Sequence, residues 1–282
     1  MENTIHFLNG KFVPETELLI SPRDLGYMRG YAVADFIVTH NHHVIKLRDH
    51  VQRLFRSAQV IGLHIPWTTQ QLEDWIRETI KRNDVESEIT LKTIISGGVS
   101  KSLTQAETPT IVIIVDRYRP HPSEYYEKGV KAITVDFQRS YPAAKHTNYI
   151  EAIRQRAKMD KNDVTDIIYH EHSRVTEGAG NNIFAVIHNI LVTTKTNIIE
   201  GITRNILLEI LHLPIPIEVR DISLAELATA TEVFLTGSGR GVIGVVKIDD
   251  NTVGNGIVGP ITREVAKQYD EYMQAQISDG QN

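Results

Sequence analysis

The sequence NNIFAVIHNILVTTKTNIIEGITRNILLEILH, residues 181–212, decides the fold class because it contains both kinds of regular structure. Its first part holds two short runs rich in β-branched residues, NNIFAVIH and ILVTT, which predict a pair of strands. Its last part, RNILLEILH, is predicted as a helix. A strand pair followed by a helix indicates an α+β fold.

The rest of the chain repeats this mixture. TIHFL and KFV flank Asn9-Gly10, a pair that tolerates the positive φ angles of a type I′ turn, so we predict a hairpin there. We predict a second strand pair, DFIVTH and HVIKL, on either side of Asn41-His42. Apolar spacing and β-branched composition further predict helices over 50–63 and 68–83 and strands over 88–98 and 108–118.

A break in this pattern divides the chain. RYRPHPSEYY, residues 117–126, has two prolines, several polar residues and no periodicity, as is typical of a linker. We therefore predict a smaller amino-terminal α/β domain at 1–117, a linker at 118–124 and a larger carboxy-terminal domain at 125–282. Both domains are expected to contain mainly antiparallel sheets with flanking helices.

Composition excludes several classes of protein. The formal net charge is -5 and no basic stripe is present, which argues against nucleic-acid binding. The chain has no cysteine, so disulfides, thiolate metal sites and a cysteine nucleophile are excluded. The first residues lack the features of a signal peptide, and no segment is apolar enough to span a bilayer. We expect a cytoplasmic protein that binds neither nucleic acid nor membranes.

Two glycine-containing segments are candidates for phosphate binding. Gly201-Ile202-Thr203 precedes a predicted helix, whose first N–H groups and dipole attract anions. The segment 236–241, TGSGRG, follows the strand TEVFL, and its glycines allow several N–H groups to converge on one anion. An ordinary helix cap and a tight turn are the respective alternatives. Two such segments in one half of the chain make a phosphorylated cofactor a candidate ligand.

Basic and imidazole side chains leave other chemistry open. Lys145 stands between a proline-containing break and a helix, and burial or neighbouring cations can make such a lysine nucleophilic. Arg53 and Arg56 lie in an amphipathic helix, where a solvated head over an apolar stem is the ordinary role. His170 and His172 share one strand face and could meet a metal, which would suit a hydrolase. No third ligand has suitable spacing, so we expect a solvent-facing strand end and no metal site.

Six segments, taken in order, resemble the class IV (fold type IV) pyridoxal-phosphate-dependent aminotransferases. That family includes branched-chain aminotransferases, D-amino-acid transaminases, aminodeoxychorismate lyases and (R)-amine transaminases. The resemblance covers nearly the whole chain, and it implies a two-domain D-amino-acid aminotransferase-like fold whose larger domain binds pyridoxal 5′-phosphate. The six segments are SPRDLGYMRGYAVADFIV, HVIKLRDHVQRLFRSA, AAKHTNYIEAI, VTEGAGNNIF, EGITRNILLEI and VFLTGSGRGVIGVVKID.

The resemblance implies a role for each matching residue. Lys145, in K-x-x-N-Y, matches the lysine that carries the cofactor as a Schiff base. Glu177, in E-G-x-G-x-N-I-F, matches the carboxylate that pairs with the pyridine nitrogen. The expected reaction is ping-pong transfer of an amino group between an amino acid and a 2-oxo acid, with Lys145 as general base and acid. The other implied contacts are Arg53, Ile202, Thr203, Ser238 and Gly239 at the phosphate and Tyr149 near the phenolic oxygen.

Departures from the family patterns bear on the substrate. Two residues separate Lys145 from the Asn-Tyr pair, as in the D-amino-acid and lyase branches, whereas branched-chain enzymes usually have three. Ala34 and Asp35 replace the aromatic residue and glutamate of G-V-[FY]-E, and Gly97 stands where D-amino-acid enzymes carry an arginine. The residues that bind the α-carboxylate are therefore predicted to differ from both subgroups. The candidates are Arg29, Lys92 and Arg240.

The spacing after Lys145 favours a D-amino-acid transaminase, and the replacements at Ala34, Asp35 and Gly97 speak against an ordinary member of that branch. We therefore favour a D-amino-acid transaminase with an altered carboxylate-binding set. The alternatives are a branched-chain-type L-amino-acid aminotransferase, an aminodeoxychorismate lyase and a catalytically inactive binding relative. The resemblance also implies a homodimer, because members of this family complete the active site with a loop from the neighbouring subunit.

Overall fold

The computed structural model describes residues 4–83, 87–102, 104–159 and 165–279. Contacts between residues divide the chain into two units. The first boundary, after Arg119, lies within the segment 118–124 that the sequence predicts as a linker. The segment Ala143–Asn148 is counted with unit 1, although it comes from within the predicted carboxy-terminal domain. Unit 1 comprises Met1–Arg119, Ala143–Asn148 and Ile277–Asn282, and unit 2 comprises Pro120–Pro142 and Tyr149–Gln276.

Unit 1 opens with the predicted hairpin of β1 (Ile5–Leu8) and β2 (Lys11–Pro14). Asn9 and Gly10 between them have φ angles of 47° and 87°, as a type I′ turn requires. The elements that follow are α1 (Leu25–Arg29), β3 (Ala32–Val38), α2 (Leu47–Val60), α3 (Thr69–Arg82), β4 (Ile89–Val99) and β5 (Thr108–Arg117).

The described strands of unit 1 form one antiparallel sheet in the order β2-β1-β5-β4-β3, which leaves β3 at an edge. Helices α2 and α3 bury their apolar faces in the same hydrophobic cluster as the strands. Each fully buried side chain of this kind stabilises the fold by about 1.5–3 kcal/mol. Members from the two helices include Val51, Leu54, Leu72 and Ile76.

Unit 2 alternates short strands and helices. α4 (Ser123–Lys128) and β6 (Val130–Asp136) come first, and α5 (Ile150–Arg156) follows the segment that belongs to unit 1. The remaining elements are β7 (Asp166–Glu171), β8 (Arg174–Gly178), β9 (Asn182–Ile187), β10 (Ile190–Thr193), α6 (Ile202–Ile210), β11 (Ile217–Val219), β12 (Ile222–Ser223), α7 (Leu224–Ala228), β13 (Glu232–Gly237), β14 (Gly241–Ile248), β15 (Asn251–Thr252) and α8 (Pro260–Asp279).

The described strands of unit 2 form a ten-stranded sheet in the order β11-β10-β9-β13-β14-β6-β7-β8-β12, with β15 beside β14. Most neighbours are antiparallel, and the pairs β10–β11, β14–β6 and β6–β7 are parallel. Phe184 and Phe234 are fully buried on the paired strands β9 and β13, and their rings stack with centroids 5.0 Å apart. The α+β class with mainly antiparallel sheets agrees with the expectation from the sequence.

Two helices of unit 2, α7 and α8, begin at side chains that accept their first N–H groups. Ser223 and Glu226 form a capping box at α7. At α8, which begins at Pro260, the Glu232 carboxylate accepts the N–H groups of Ile261 and Thr262 at 3.0 and 2.7 Å. No helix within the described ranges is both long enough and apolar enough to cross a bilayer.

The predicted strand HVIKL, residues 43–47, is wrong. His42 and Lys46 have φ angles of 61° and 57°, in the left-handed region that an extended strand does not use. The pairing here is limited to an isolated bridge between His40 and His43, and α2 already begins at Leu47. The turn at Asn41-His42 therefore leads directly into a helix.

Candidate active site

Lys145 lies in the segment Ala143–Asn148 of unit 1, which runs beside the edge strand β3. The N–H of Ala34 in β3 donates to the carbonyl oxygen of Lys145 at 2.8 Å. The N–H of Lys145 donates to Oγ of Ser57 at 3.0 Å. Because the backbone of Lys145 is bonded through both its N–H and its carbonyl group, its side chain extends from a fixed Cα atom.

Arg53 lies on α2, and its guanidinium is buried against Asp35 of β3. Its Nε and Nη2 groups donate to the two carboxylate oxygens of Asp35 at 2.8 and 2.9 Å. Nδ1 of His50 lies 2.6 Å from the same carboxylate. The Nη1 group of Arg53 has no acceptor among the described residues, so its two N–H donors are available to an anionic ligand. Arg56, by contrast, is exposed on the same helix.

The partners of Asp35 keep its carboxyl group charged. Burial alone would raise the pKa of Asp35, but the charges of Arg53 and His50 and the hydrogen bonds from both hold this pKa well below its usual range. The folded-state pKa is therefore lower than the unfolded-state pKa. It follows that the interaction contributes its full stability above the ordinary aspartate pKa of about 4 and loses it as the pH falls from there toward the folded-state value.

Glu177 lies at the end of β8 in unit 2, and its side chain is buried. Its Oε1 accepts from Nε of Arg139 at 2.8 Å, and its Oε2 accepts from the N–H of Ile199 at 2.9 Å. Arg139 also donates to the carbonyl oxygen of Pro142. These contacts fix the direction of the carboxylate. Sequence reasoning missed Arg139, which lies in an irregular stretch with no motif around it.

The start of α6 has backbone donors that no side chain of the helix cap uses. Gly201 is the N-cap, and no side chain caps the helix, so the N–H groups of Ile202 and Thr203 are available to a ligand. A Cβ atom at 201 would lie 2.0 Å from Oδ1 of Asn182, so a larger residue there would displace that side chain. Nδ2 of Asn182 donates to the carbonyl oxygen of Ile199 at 2.7 Å and so holds the chain close at this point.

A buried hydroxyl lies on the same sheet face as that junction. Thr236 is opposite Asn182 in the β13–β9 pair, and residues directly opposite each other share a face. The side chain of Asn182 contacts the chain just before α6. Oγ1 of Thr236 is buried and has no hydrogen-bond partner among the described residues. A phosphate oxygen bound at the start of α6 is the type of group that would satisfy it.

The glycine-rich turn joins β13 to β14. Gly237 and Gly241 are paired across it, and the N–H of Arg240 donates to the carbonyl oxygen of Gly237 at 3.0 Å. Ser238 and Gly239 lie half-buried between them. The sequence left a phosphate loop and a tight turn as alternatives, and the backbone has the form of a tight turn with a half-buried hydroxyl at its tip.

Arg240 is held by an ion pair below the turn. Its Nη1 group donates to Oδ1 of Asp166 at 3.0 Å, and the side chains of both residues are nearly buried. Asn181 donates to the same oxygen at 3.2 Å. Arg240 therefore anchors the glycine-rich turn to β7.

The other two candidates for the α-carboxylate lie on unit 1. Lys92 is half-exposed on β4 and pairs with Asp116 at 2.8 Å. Arg29 is exposed at the end of α1, and within the described residues its guanidinium has no carboxylate partner. Tyr149, in unit 2, is 38% exposed at the N-cap of α5.

The expectation of a solvent-facing strand end at His170 is wrong, because only 12% of its side chain is exposed. Nδ1 of His170 lies 3.8 Å from the Asp136 carboxylate of the neighbouring strand. His172 lies in the following turn, with a φ angle of 48°. In the part of the chain that the structure describes, no three histidine or acidic side chains are grouped as metal ligands.

We expect Asp35→Asn to lower the free energy of unfolding by about 3 kcal/mol, because it leaves the buried Arg53 charge without its partner. Below the ordinary aspartate pKa the difference from the wild-type protein should narrow, since protonation removes the same charge. Urea unfolding at several pH values measures both effects. Asp116→Asn, in the exposed pair with Lys92, is the control and should change stability little. A constant difference across pH would contradict the assignment to Asp35.

Comparisons with known proteins identify one family of similar chains. The family model described as "Amino-transferase class IV" matches residues 32–248. The chain is 28% identical to the D-alanine aminotransferase of Staphylococcus epidermidis over 284 residues, which span 95% of this chain and 98% of that protein. It is 29% identical to the putative branched-chain-amino-acid aminotransferase of Methanocaldococcus jannaschii over 275 residues, which span 93% and 94%.

Solved structures give the same fold. The branched-chain aminotransferase of Thermoproteus uzoniensis has a TM-score of 0.86 at 27% identity, with 96% of this chain and 94% of that chain covered. The branched-chain amino acid aminotransferase of Escherichia coli has a TM-score of 0.88 at 22% identity, with 96% and 95% covered. The chain therefore belongs to the class IV aminotransferases, which are pyridoxal-phosphate-dependent enzymes of fold type IV.

Proposed function

We propose that this protein is a transaminase that moves an amino group from a D-amino acid to a 2-oxo acid, with Lys145 as the residue that binds the cofactor covalently. The observation that carries the cofactor assignment is the start of α6. There an uncapped helix terminus, the tightly packed Gly201 and the buried Oγ1 of Thr236 together suit a phosphate group.

The remaining phosphate contacts are assigned from each unit in turn. In unit 1, Arg53 keeps two N–H donors at Nη1 while Asp35 holds the rest of its guanidinium, so the arginine can bind an anion without moving. In unit 2, Ile202 and Thr203 offer backbone N–H groups, and Ser238 and Gly239 offer a hydroxyl and a backbone group. These roles are supported by donor chemistry and by the match to the family's motifs.

The reacting groups follow from the same reasoning. Pyridoxal phosphate, when bound, supplies a ring that accepts electrons from the substrate's α-carbon. Glu177, fixed by Arg139 and Ile199, would hold a proton on the pyridine nitrogen. Lys145 would move a proton between the substrate's α-carbon and the cofactor's C4′ carbon, as base and then as acid. Tyr149 would approach the phenolic oxygen.

Whether the enzyme accepts D- or L-amino acids depends on which residue binds the α-carboxylate of the substrate. Gly97, where D-amino-acid enzymes carry an arginine, lies under the ring of Tyr31, and a Cβ atom at 97 would be 2.6 Å from Cδ1 of that ring. An arginine at this position is therefore incompatible with the observed packing. Of the three candidate cations, Lys92 and Arg240 are engaged with carboxylates, so Arg29 is preferred.

A branched-chain-type L-amino-acid aminotransferase is the second candidate, because the putative branched-chain-amino-acid aminotransferase of Methanocaldococcus jannaschii is as similar to this chain as the D-alanine aminotransferase of Staphylococcus epidermidis. An aminodeoxychorismate lyase, which would release pyruvate without a 2-oxo acid acceptor, and an inactive binding relative are weaker alternatives. A cytoplasmic location stays a prediction from the sequence.

We expect purified protein to be yellow, and Lys145→Ala to abolish both the colour that borohydride bleaches and the transaminase activity, because no other amine would replace the covalent link. Absorbance spectra and peptide mapping after borohydride reduction measure the link and its position. Lys11→Ala, at an exposed position on β2, is the control and should retain both. Colourless wild-type protein that takes up no pyridoxal phosphate would overturn the proposed function.

Half-reactions with D-alanine, D-glutamate and L-leucine distinguish the two candidate substrate classes, D-amino acids and branched-chain L-amino acids. A D-amino-acid transaminase should lose its visible absorbance with the first two and keep it with the third. Arg29→Ala should raise KM by ~10-fold or more through loss of a charge-assisted hydrogen bond. Arg23→Ala, in the exposed turn before α1, is the matched control. Conversion of L-leucine alone would favour the branched-chain assignment.

We also propose a homodimer. Large apolar side chains are exposed in each unit, with Leu19 and Tyr27 in unit 1 and Ile150 and Ile153 in unit 2 each more than two-thirds exposed. Ile150 and Ile153 lie three residues apart on α5 and therefore neighbour each other on its surface. Adjacent exposed apolar side chains of this kind are typical of protein interfaces. Light scattering should give twice the mass of one chain, and Ile150→Asp with Ile153→Asp should lower that value, whereas a monomeric wild-type protein would contradict the proposal.

A further inference from the structure

Ser57 bonds to two residues that the proposed function places at the cofactor. It lies on α2, and its side chain is almost completely buried. Its Oγ donates to the carbonyl oxygen of Arg53, one turn earlier, at 2.8 Å. The same oxygen accepts the N–H of Lys145 at 3.0 Å, from a segment that lies 88 residues further along the chain.

The geometry of the serine explains how one hydroxyl serves both partners. A serine in a helix commonly donates its proton to the carbonyl group four residues earlier. This bond uses the one donor of the hydroxyl and leaves its lone pairs as acceptors. At Ser57 those lone pairs face the segment Ala143–Asn148, where the Lys145 N–H is the donor. The hydroxyl therefore joins the helix turn of Arg53 to the backbone of Lys145.

The other side of Lys145 is fixed by the sheet. Its carbonyl oxygen accepts from Ala34, next to Asp35, and Asp35 in turn holds the guanidinium of Arg53. Lys145 is thus connected to Arg53 by two routes, one through β3 and one through Ser57. All of these contacts lie within unit 1. The route through Ser57 can be removed by deleting one side-chain atom, the Oγ of Ser57.

We propose that Ser57 is a positioning residue that sets the distance between the lysine that binds the cofactor and the arginine that binds its phosphate. This inference rests on the proposed function. When the phosphate of the cofactor is bound, the covalent structure of the cofactor fixes the distance from the phosphate site to the reactive C4′ carbon. The Cα atom of Lys145 must then keep a matching position for the covalent link and the proton transfer. Ser57 maintains this position without contacting the cofactor.

The test compares Ser57→Ala with the wild-type enzyme in the cofactor-loaded form. A displacement of the lysine of about 1 Å reduces catalysis by ~100-fold, so we expect kcat to fall by 10-fold to 100-fold while KM changes by less than about 3-fold, because substrate contacts remain. The pH at which the visible absorbance titrates should shift as well. In the cofactor-free protein, hydrogen exchange at the amide of Lys145 should become faster, since its acceptor is lost.

Two further variants separate positioning from a general effect on stability. Thr79→Val removes a buried hydroxyl that makes the same bond to the carbonyl group four residues earlier, in α3, and it should leave kcat and the spectrum unchanged. Ser57→Cys keeps the size of the side chain and weakens both hydrogen bonds, so it should give an intermediate kcat. If Ser57→Ala does not fold, Ser57→Cys decides the question by the same readouts.

Different experimental results would contradict the role of Ser57 and the proposed function. If the wild-type protein forms the borohydride-sensitive link at Lys145 but Ser57→Ala keeps kcat, spectrum and amide exchange within 2-fold of wild type, Ser57 is not a positioning residue. The same conclusion follows if Thr79→Val lowers kcat as much as Ser57→Ala does. If the wild-type protein forms no such link, the proposed function itself is wrong.

Discussion

The buried ion pair between Asp35 and Arg53 fixes one strand of unit 1 against one turn of α2. A buried charge without its partner costs several kcal/mol of stability. Moving β3 away from α2 would leave the charge of Asp35 or Arg53 unpaired, so the ion pair holds the two elements together. Lys145 is bonded to both elements, through Ala34 on the strand and Ser57 on the helix. The placement of the lysine backbone thus depends on an electrostatic contact that does not involve the lysine itself.

In unit 2 the start of α6 presents backbone N–H groups that no side chain caps. Asn182 uses its amide group to hold Ile199, and the missing Cβ atom of Gly201 allows that close approach. The ion pair of Arg240 with Asp166 keeps a positive charge occupied near the glycine-rich turn. The first N–H groups of α6 are left without a side-chain cap, and uncapped helix starts attract anions.

Sequence patterns predicted the elements whose signals are local. The Asn9-Gly10 turn depends on a few neighbouring residues, and it was found as expected. The strand at 43–47 failed because its apolar residues resemble a strand, whereas the backbone has a positive φ angle at Lys46 and enters α2 at Leu47. Short apolar runs do not distinguish the two outcomes.

The candidate residues themselves came from motifs, but their partners did not. No local pattern marks Arg139 as the partner of Glu177 or Asp166 as the partner of Arg240, because each pair joins residues that are distant in sequence. The same holds for Ser57, whose bond to Lys145 spans 88 positions. Such contacts depend on strand order and register, which a single sequence does not encode locally.

The pairing of Ala143–Asn148 with β3 also affects how the protein is made. An uncovered strand edge presents unpaired backbone groups and is a template for association with other chains. β3 is at the edge of its sheet, and in the folded protein the segment Ala143–Asn148 covers it. This segment is translated only after Pro120–Pro142 of the other unit. During synthesis the outer backbone groups of β3 therefore stay unpaired until residue 148 has left the ribosome. In that interval the nascent unit is most prone to aggregate, and chaperones would protect it most.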